Sequence, residues 1–325
     1  MEAQPLSAPS APPIRIGISA CLLGEKVRYD GGHKWNAYLV ETLGRFVEWV
    51  AVCPEVEMGL GTPRQTLRLV RIGEDVRMVM PKTGVDYSHN MREYAARRLG
   101  QLSAQDLCGY VLKKGSPSCG MERVRTFDSR GVPAKSGRGL FAEALLKYFP
   151  NLPVEEEGRL ADPRLRENFV ERVFAYRRLR TLFSGNWRLG ELVAFHAAHK
   201  LLLMAHSPAV YTRLGRLTAD GKKLPRAELR VQYESEFMQG LAEIATARRQ
   251  TNVLQHIAGY FRPHLDEQSR QELHNLIQDY HRGLVPLVVP LTLIRHYVRQ
   301  LEVPYLRGQA YLEPHPKELM LRNHV

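Results

Sequence analysis

Three of the four cysteines, Cys21, Cys53 and Cys119, lie beside other residues that can do chemistry. Glu55 follows Cys53 after a single proline, and Ser118 directly precedes Cys119. Thiolates bind zinc and iron–sulfur clusters, a carboxylate can act as a general acid or base, and a hydroxyl can donate or accept a hydrogen bond. Three thiolates on a 4Fe–4S cluster would leave one iron open, and an open iron is a Lewis acid. These five residues are therefore the candidates for a catalytic metal site.

The spacing of the cysteines does not by itself identify the metal. The three thiols are separated by 32 and 66 residues, which matches no compact zinc or ferredoxin spacing. A zinc ion would need a fourth ligand, for which His33 is the nearby candidate. The fourth cysteine, Cys108, starts an apolar segment, and we expect it to be a small buried hydrophobic residue.

Two loops carry further polar side chains that are suited to holding a substrate. Arg28, Tyr29 and Asp30 lie in a glycine-containing loop after Cys21. Arg64 would add a second guanidinium at the same place if the loop after Cys53 folds back. We expect these four residues to bind the substrate.

The first half of the chain alternates between predicted strands and predicted helices. Apolar, β-branched segments predict strands at residues 14–20, 46–52 and 109–113, and each strand runs into one of the cysteine loops. Helical patterns lie at residues 35–43, 90–102 and 139–148. The alternation predicts an α/β fold with a Rossmann-like, mainly parallel sheet. In such a sheet the loops at the carboxyl ends of the strands converge on one edge, which would bring the three cysteines together.

The second half has a different pattern, in which strand-like segments largely vanish. Two prolines and an acidic run between residues 150 and 158 indicate a domain boundary. Apolar residues then recur at helical spacing over residues 167–182, 188–205, 226–246, 252–261 and 266–280. We expect a disordered lead-in at residues 1–12, an α/β domain at 13–155 and an all-α domain at 156–325.

The composition is that of a globular protein, with 44% hydrophobic and 25% charged residues. No segment approaches the roughly 18 consecutive apolar residues of a membrane helix, and the N-terminus does not resemble a secretory signal. We therefore expect a cytoplasmic protein. Thiols stay reduced in that compartment, which favours metal binding, catalysis or burial over disulfide formation for the four cysteines.

The net charge of +12 indicates a polyanionic partner such as RNA, although a basic protein without a nucleic-acid role is the alternative. A solvated charged face would explain any one basic residue equally well. The candidates for RNA contact cluster at helix ends and in a glycine-containing loop of the second half: Lys200, Arg213, Arg216, Lys222, Lys223, Arg248 and Arg249. For His196, His199 and His206 we expect structural or RNA-contacting roles and not a metal site.

Three motifs, in the same order along the chain, resemble the thiouracil desulfidase family over roughly residues 13–155. The matching residues are Ser19-Ala20-Cys21-Leu22-Leu23-Gly24 with Val27-Arg28-Tyr29-Asp30-Gly31, then Cys53-Pro54-Glu55 with Gly59 and Pro63-Arg64, then Ser116-Pro117-Ser118-Cys119-Gly120.

This resemblance implies a 4Fe–4S cluster held by Cys21, Cys53 and Cys119, with one iron free to take the thiocarbonyl sulfur of a thiolated pyrimidine. It also implies catalytic roles for Glu55 and Ser118. Glu55 would deprotonate an attacking water, and Ser118 would hydrogen-bond the substrate or relay a proton. Oxygen would replace sulfur without net redox change.

The second half resembles the YbgA-type domain that is often fused behind such a desulfidase domain. The matching stretches are residues 195–207, Leu214-Gly215, residues 252–261 and residues 309–316. Fused proteins of this kind resemble desulfidases that act on 2-thiouridine in tRNA, with the helical domain binding the RNA. The resemblance thus favours tRNA over free thiouracil as the substrate.

Two other functions stay open at this point. One is an iron–sulfur RNA-binding sensor or adaptor that performs no catalysis and would have no need of Glu55. The other keeps the catalytic first half but gives the helical half a protein partner.

Overall fold

The computed structural model describes residues 13–324, so the predicted lead-in at residues 1–12 lies outside the described residues. The chain divides into two compact units after Tyr148. The predicted domain boundary at residues 155/156 stays a prediction.

The first unit alternates strands and helices, as predicted. Its elements are β1 (Arg15–Ser19), β2 (Glu48–Val52), β3 (Arg68–Ile72), β4 (Asp75–Val79), α1 (Ser88–Ser103), β5 (Leu107–Leu112), β6 (Val124–Phe127), β7 (Pro133–Gly137) and α2 (Leu140–Tyr148). The predicted helix at residues 35–43 is instead a π-helical turn, Tyr38–Thr42, followed by a short 3-10 turn.

The predicted parallel sheet is built around β1, which pairs in parallel with β2 on one side and β5 on the other. Ile16 and Ile18 of β1 are fully buried, as expected for a central strand covered on both faces. Tyr110 of β5 lies over β1 at Gly17, where an added Cβ would approach the ring to 2.2 Å. Phe141 of α2 lies next to Tyr110 and next to Tyr94 of α1, so both helices contribute to one core.

A second sheet in the first unit was not predicted. Its strand order is β4-β3-β6-β7, with antiparallel pairs β3–β4 and β6–β7 and a parallel pair between β3 and β6. Only one face of this sheet contributes to the core, through residues such as Leu69 and Met78. The strands β3 and β4 also carry Arg68, Arg71 and Arg77. Strands of this kind lack the continuous apolar run by which the buried strands were predicted.

The second unit begins with the short strand β8 (Val154–Glu156) and is otherwise helical, which confirms the predicted change of fold class. Its helices are α3 (Pro163–Phe183), α4 (Leu189–His206), α5 (Pro208–Ala219), α6 (Arg226–Ala242), α7 (Ala247–Phe261), α8 (Glu267–His281), α9 (Val288–Gln300) and α10 (Pro304–Arg307). The residues at the start of α3 explain why the helix begins at Pro163. The side chain of Asp162 accepts hydrogen bonds from the Arg164 and Leu165 N–H groups, and Pro163 occupies the first turn.

Candidate active site

The three predicted metal-binding cysteines all lie just beyond the carboxyl ends of adjacent parallel strands. Cys21 lies in a 3-10 turn, Ala20–Leu23, directly after β1, and Cys53 directly follows β2. Cys119 lies in the loop after β5. Cys21 and Cys119 are buried and Cys53 is half-buried, and all four cysteines of the chain are reduced. Cys108 is fully buried within β5.

The two predicted catalytic residues are in direct contact. The Ser118 hydroxyl donates a hydrogen bond to Glu55 Oε1 at 2.6 Å, and Ser118 Oγ also lies 3.7 Å from Cys119 Sγ. Glu55 is 9% exposed and Ser118 is 1% exposed. A buried carboxylate–hydroxyl pair therefore joins the Cys53 loop to the Cys119 loop.

Arg64 holds the other oxygen of the same carboxylate. Its Nε and Nη2 donate to Glu55 Oε2 at 2.8 Å and 2.6 Å, and its Nη1 donates to the carbonyls of Val27 and Gly61 at 2.9 Å and 3.1 Å. The Arg64 side chain is only 5% exposed. Glu55 thus accepts hydrogen bonds on both oxygens, and the guanidinium ties it to the loop after Cys21.

The other predicted substrate-binding residues lie on that loop. The Arg64 N–H donates to the Tyr29 carbonyl at 2.9 Å, which brings the loop to the Glu55 side of the site. Arg28 lies over the Tyr29 ring at 5.5 Å and faces Asp30 at 3.6 Å. Tyr29 and Asp30 are exposed. Four of the five N–H donors of Arg64 are taken by protein acceptors, and two of them position Glu55. Substrate binding by Arg64 stays a prediction.

Ser116 organises the Cys119 loop and was not predicted as a site residue. Its Oγ accepts hydrogen bonds from the N–H groups of Ser118 and Cys119 at 3.2 Å and 3.1 Å, and it lies 2.9 Å from Ser118 Oγ. The loop also packs tightly on the start of α2, because an added Cβ at Gly139 would lie 2.4 Å from the Ser118 carbonyl oxygen. The Ser-Pro-Ser sequence was the available signal for Ser116, but it is equally typical of an ordinary turn.

Glu57 holds the Cys53 loop in place and was also not predicted as a site residue. Its Oε1 accepts a hydrogen bond from the Cys53 N–H at 3.0 Å, and its Oε2 accepts from the Tyr94 hydroxyl at 2.7 Å. Arg98 forms an ion pair with the same oxygen at 3.0 Å. Tyr94 and Arg98 both belong to α1, so this helix sets the position of the Cys53 backbone.

Burial disfavours the thiolate forms of Cys119 and Cys53. Burial raises the pKa of Cys119 to about 12, with the negative charge of Glu55 adding to the rise while hydrogen bonds from Ser19 and Ser118 oppose it. Burial also raises the pKa of Cys53. Thiols in such surroundings become thiolates when a metal supplies the missing positive charge.

The three thiols of Cys21, Cys53 and Cys119 are of the kind that bind iron–sulfur clusters and zinc. Within residues 13–324, no three His, Cys, Asp or Glu side chains lie close enough together to hold one metal ion. Each cysteine of a cluster binds a different iron, so the sulfurs need not meet around one centre. His33, the candidate fourth zinc ligand, is exposed, and its Nδ1 accepts a hydrogen bond from the Trp35 N–H at 3.2 Å.

The predicted RNA-contacting residues are spread over α4, α5, α7 and the turn after α5. Several of their charges are used within the second unit: Arg213 pairs with Glu236, Lys223 with Asp220 and Arg249 with Glu243, while Lys200 lies over the Tyr305 ring. The remaining three, Arg216, Lys222 and Arg248, are exposed. RNA contact by this set stays a prediction.

The three histidines of α4 do not converge on one point. His196 Nδ1 lies 3.2 Å from the Tyr233 hydroxyl, and His199 Nδ1 lies 2.8 Å from the Phe195 carbonyl. His206 is buried and contacts Glu171. Each histidine has a structural partner of its own.

Fold and site together define an α/β protein with a thiol, carboxylate and hydroxyl site at the edge of a parallel sheet, followed by a helical unit. The sequence model of the 2-thiouracil desulfurase family matches residues 16–157, and that of a family of unknown function, DUF1722, matches residues 200–316. The chain therefore belongs to the 2-thiouracil desulfurase family, with a YbgA-type DUF1722 domain behind it.

Individual proteins are similar to parts of the chain. The uncharacterized protein YbgA of Escherichia coli K12 is 37% identical over 161 residues, which cover 49% of this chain and 95% of the relative. The uncharacterized protein YbbK of Bacillus subtilis 168 is 32% identical over 142 residues, covering 41% of this chain and 89% of the relative. A solved structure of the 4Fe-4S-dependent thiouracil desulfidase TudS is 36% identical, and the match covers 46% of this chain and 93% of the TudS chain, with a TM-score of 0.38.

Among the helices of residues 13–324, none combines the length and the apolar character needed to cross a membrane.

Proposed function

We propose that this protein is an iron–sulfur-dependent desulfidase that removes sulfur from 2-thiouridine in tRNA, with free thiouracil as the simpler substrate. Cys21, Cys53 and Cys119 would hold a 4Fe–4S cluster with one open iron. The observation that carries the proposal is the 2.6 Å hydrogen bond between Ser118 and Glu55, buried between two cysteine loops. The family match supports a thiolated uracil as the substrate class.

When bound, the cluster would supply a Lewis acid that accepts the thiocarbonyl sulfur. The overall reaction is hydrolysis, in which water adds its oxygen to the thiocarbonyl carbon, the carbon–sulfur bond breaks and sulfide leaves. Neither carbon nor sulfur changes its oxidation state.

Glu55 is the residue that we assign to the proton transfers. Arg64 holds Oε2, so Oε1 is the oxygen that takes the proton of the attacking water. Ser118 already donates to Oε1 and can therefore pass a proton between that carboxylate and the substrate. Burial of the pair keeps bulk water away from the reacting group.

The choice of tRNA over the free base rests on two properties of the chain. The net charge is +12, and a basic helical unit follows the desulfurase domain. Phosphate neutralisation by lysine and arginine makes RNA affinity fall steeply with salt. A protein partner for the helical unit would give a much flatter salt dependence.

The test is to reconstitute the protein anaerobically and to measure iron, acid-labile sulfide, and sulfide release from 2-thiouracil and from thiolated tRNA. We expect Cys21→Ala, Cys53→Ala and Cys119→Ala to lose iron, and Cys108→Ala to retain it. Absence of sulfide release from both substrates by the iron-loaded wild type would refute the proposal.

Two variants separate catalysis from a sensor or adaptor role. Glu55→Gln and Ser118→Ala should retain iron and RNA affinity but lose turnover by about 100-fold or more, the usual scale of general acid–base catalysis. Ser103→Ala, whose hydroxyl donates only to the Gly100 carbonyl, is the matched control. Full turnover in Glu55→Gln would overturn the assigned role of Glu55. A sensor or adaptor would instead show no turnover in the wild type and unchanged RNA affinity in this variant.

A further inference from the structure

The second sheet of the first unit has one face in the core and one face turned away from it. Leu69, Met78 and Thr126 lie on the core face, and each is at most 3% exposed. Successive side chains of a strand point to opposite faces, so Arg68 of β3 and Arg125 of β6 lie on the outer face. This outer face carries the positive charge of the sheet.

Three cations form one row across the outer face. Arg125 of β6 is directly opposite Lys135 of β7 in the antiparallel register. The parallel register of Leu69 with Thr126 sets the preceding residues of β3 and β6 side by side, and those residues are Arg68 and Arg125. Neighbouring strands lie roughly 4.8 Å apart, so the three positions span about 10 Å. We call Arg68, Arg125 and Lys135 the cation row.

The cation row has no carboxylate partner of its own. The two carboxylates that form ion pairs at this sheet do so with other arginines: Asp86 pairs with Arg77 at 3.6 Å, and Asp128 faces Arg130 at 3.8 Å. Among residues 13–324, no ion pair involves a member of the row. Like charges that are directly opposite on neighbouring strands destabilise a sheet. The row therefore weakens the fold, and an anionic partner would offset that cost.

The row also lies at the end of the sheet that is connected to the catalytic loops. β6 begins five residues after Cys119, and β3 begins four residues after Arg64. The hairpin of β6 and β7 returns to the same loop, because the Gly139 N–H donates to the Gly120 carbonyl at 2.8 Å. A chain extends at most about 3.5 Å per residue, so the start of each strand lies within about 18 Å of a site residue. The row contains residues from the starts of β3 and β6, and so it lies at this end.

We propose that the cation row binds the phosphates of unpaired nucleotides that flank the thiolated base of an RNA substrate. This inference rests on the proposed function, in which one base of an RNA reaches the buried pair of Glu55 and Ser118. A base reaches such a site at least cost from a single strand, since little pairing or stacking is lost there.

Two features of the row suit single-stranded RNA. Its three charges extend over more than one phosphate group and therefore match a chain of phosphates. The Arg68 guanidinium lies over the half-buried ring of Phe127 at 5.1 Å, and guanidinium planes and aromatic rings are surfaces on which unpaired bases stack. Basic and aromatic side chains on the face of a β-sheet are a known way of binding single-stranded RNA.

The experiment compares two double variants of the full, iron-loaded chain that remove the same number of charges. Arg125→Ala/Lys135→Ala changes the cation row, whereas the control Arg45→Ala/Arg97→Ala removes two exposed arginines of the first unit outside this sheet. Binding of a fluorescently labelled thiolated tRNA is followed by anisotropy between about 50 and 200 mM salt. We expect the row variant to bind about tenfold more weakly, with the slope of log affinity against log salt reduced by about 1.4, and the control to match the wild type.

Turnover separates this inference from the proposed function. The row variant should release sulfide from free 2-thiouracil at the wild-type rate, but its KM for thiolated tRNA should rise about tenfold with kcat unchanged. A wild type that releases sulfide from neither substrate would refute the proposed function, and the binding comparison would still test the row. Wild-type tRNA affinity and salt slope in the row variant would overturn the present inference.

Two further measurements test folding and the kind of RNA. Because like charges repel across β6 and β7, the row variant should be at least as stable to urea as the wild type, which shows that weaker binding does not come from unfolding. The row variant should also lose more affinity for a short single-stranded RNA than for the same RNA as a duplex. An equal loss for both would contradict the assignment to unpaired nucleotides.

Discussion

Removal of the Arg64 side chain should destabilise the first unit far more than removal of an ordinary surface arginine. Arg64→Ala deletes four hydrogen bonds, two to Glu55 and two to backbone carbonyls. At about 1 kcal/mol each these sum to about 4 kcal/mol, which agrees with the roughly 3–5 kcal/mol lost when one partner of a buried ion pair is removed. The side chains of Arg64 and Glu55 are 5% and 12% exposed, so solvent screens the pair little.

The assay is urea unfolding followed by tryptophan fluorescence in a Trp187→Phe background. Of the three tryptophans in the chain, the remaining two, Trp35 and Trp49, both belong to the first unit. The signal therefore reports the free energy of unfolding of that unit without a contribution from the helical one.

The matched control is Arg15→Ala, since Arg15 pairs with Glu48 at 3.1 Å while the two side chains are 44% and 55% exposed. That variant should lose only about 0–1 kcal/mol. The double variant Arg64→Ala/Glu55→Gln should lose less than the sum of the two single variants, because neither charge is then left buried alone. A loss below about 1 kcal/mol in Arg64→Ala would refute the view that this pair is a buried, tightly bonded clamp.

Three further outcomes are expected. Gly139→Ala should lower sulfide release strongly, because the added Cβ would lie 2.4 Å from the Ser118 carbonyl oxygen. The control is Gly100→Ala, which has open space around it and should be neutral or stabilise α1 by up to about 1 kcal/mol. In metal-free protein, alkylation of Cys119 followed by mass spectrometry should stay slow at pH 9 and accelerate only toward pH 12, because burial raises the pKa of this thiol from the ordinary 9.0 to about 12. The folded state holds this proton more tightly than the unfolded chain, so the stabilisation that it gives is complete below pH 9 and is lost as the pH rises toward 12. Glu171→Ala should lower the free energy of unfolding of the second unit by about 3–5 kcal/mol, because it leaves the buried guanidinium of Arg322 without its closest anion. The measurement is urea unfolding followed by circular dichroism, and unchanged stability would show that water compensates that charge.

The sequence by itself determined which half of the chain forms a parallel sheet and which half is helical. The spacing of apolar residues indicates whether a strand is buried on one face or on both, and whether a helix is buried along one stripe. This signal lies within each segment and needs no knowledge of the rest of the fold. The cysteine loops could be located for the same reason, because each follows a continuous apolar strand. The family resemblance, carried by short motifs, was confirmed by the match to residues 16–157.

Only the tertiary structure decided which side chains meet. Ser118 and Glu55 are 63 residues apart in the chain, and no local pattern shows that one donates to the other. The same holds for the clamp of Arg64 on Glu55 and for the support that Glu57 receives from α1. The second sheet, with one face in the core and arginines along its strands, was missed because its pattern resembles that of exposed loops.

The buried ionic network of the second unit is the clearest case of what the sequence could not show. Glu167 and Glu171 lie on one helix, but the cation between them, Arg322, comes from the far end of the chain, 151 residues beyond Glu171. Helical periodicity placed both glutamates on a helix and did not distinguish a solvated acidic face from a buried wall. Packing alone determines that Glu171 contacts Arg322 and His206 while Glu167 contacts Arg322 and His324.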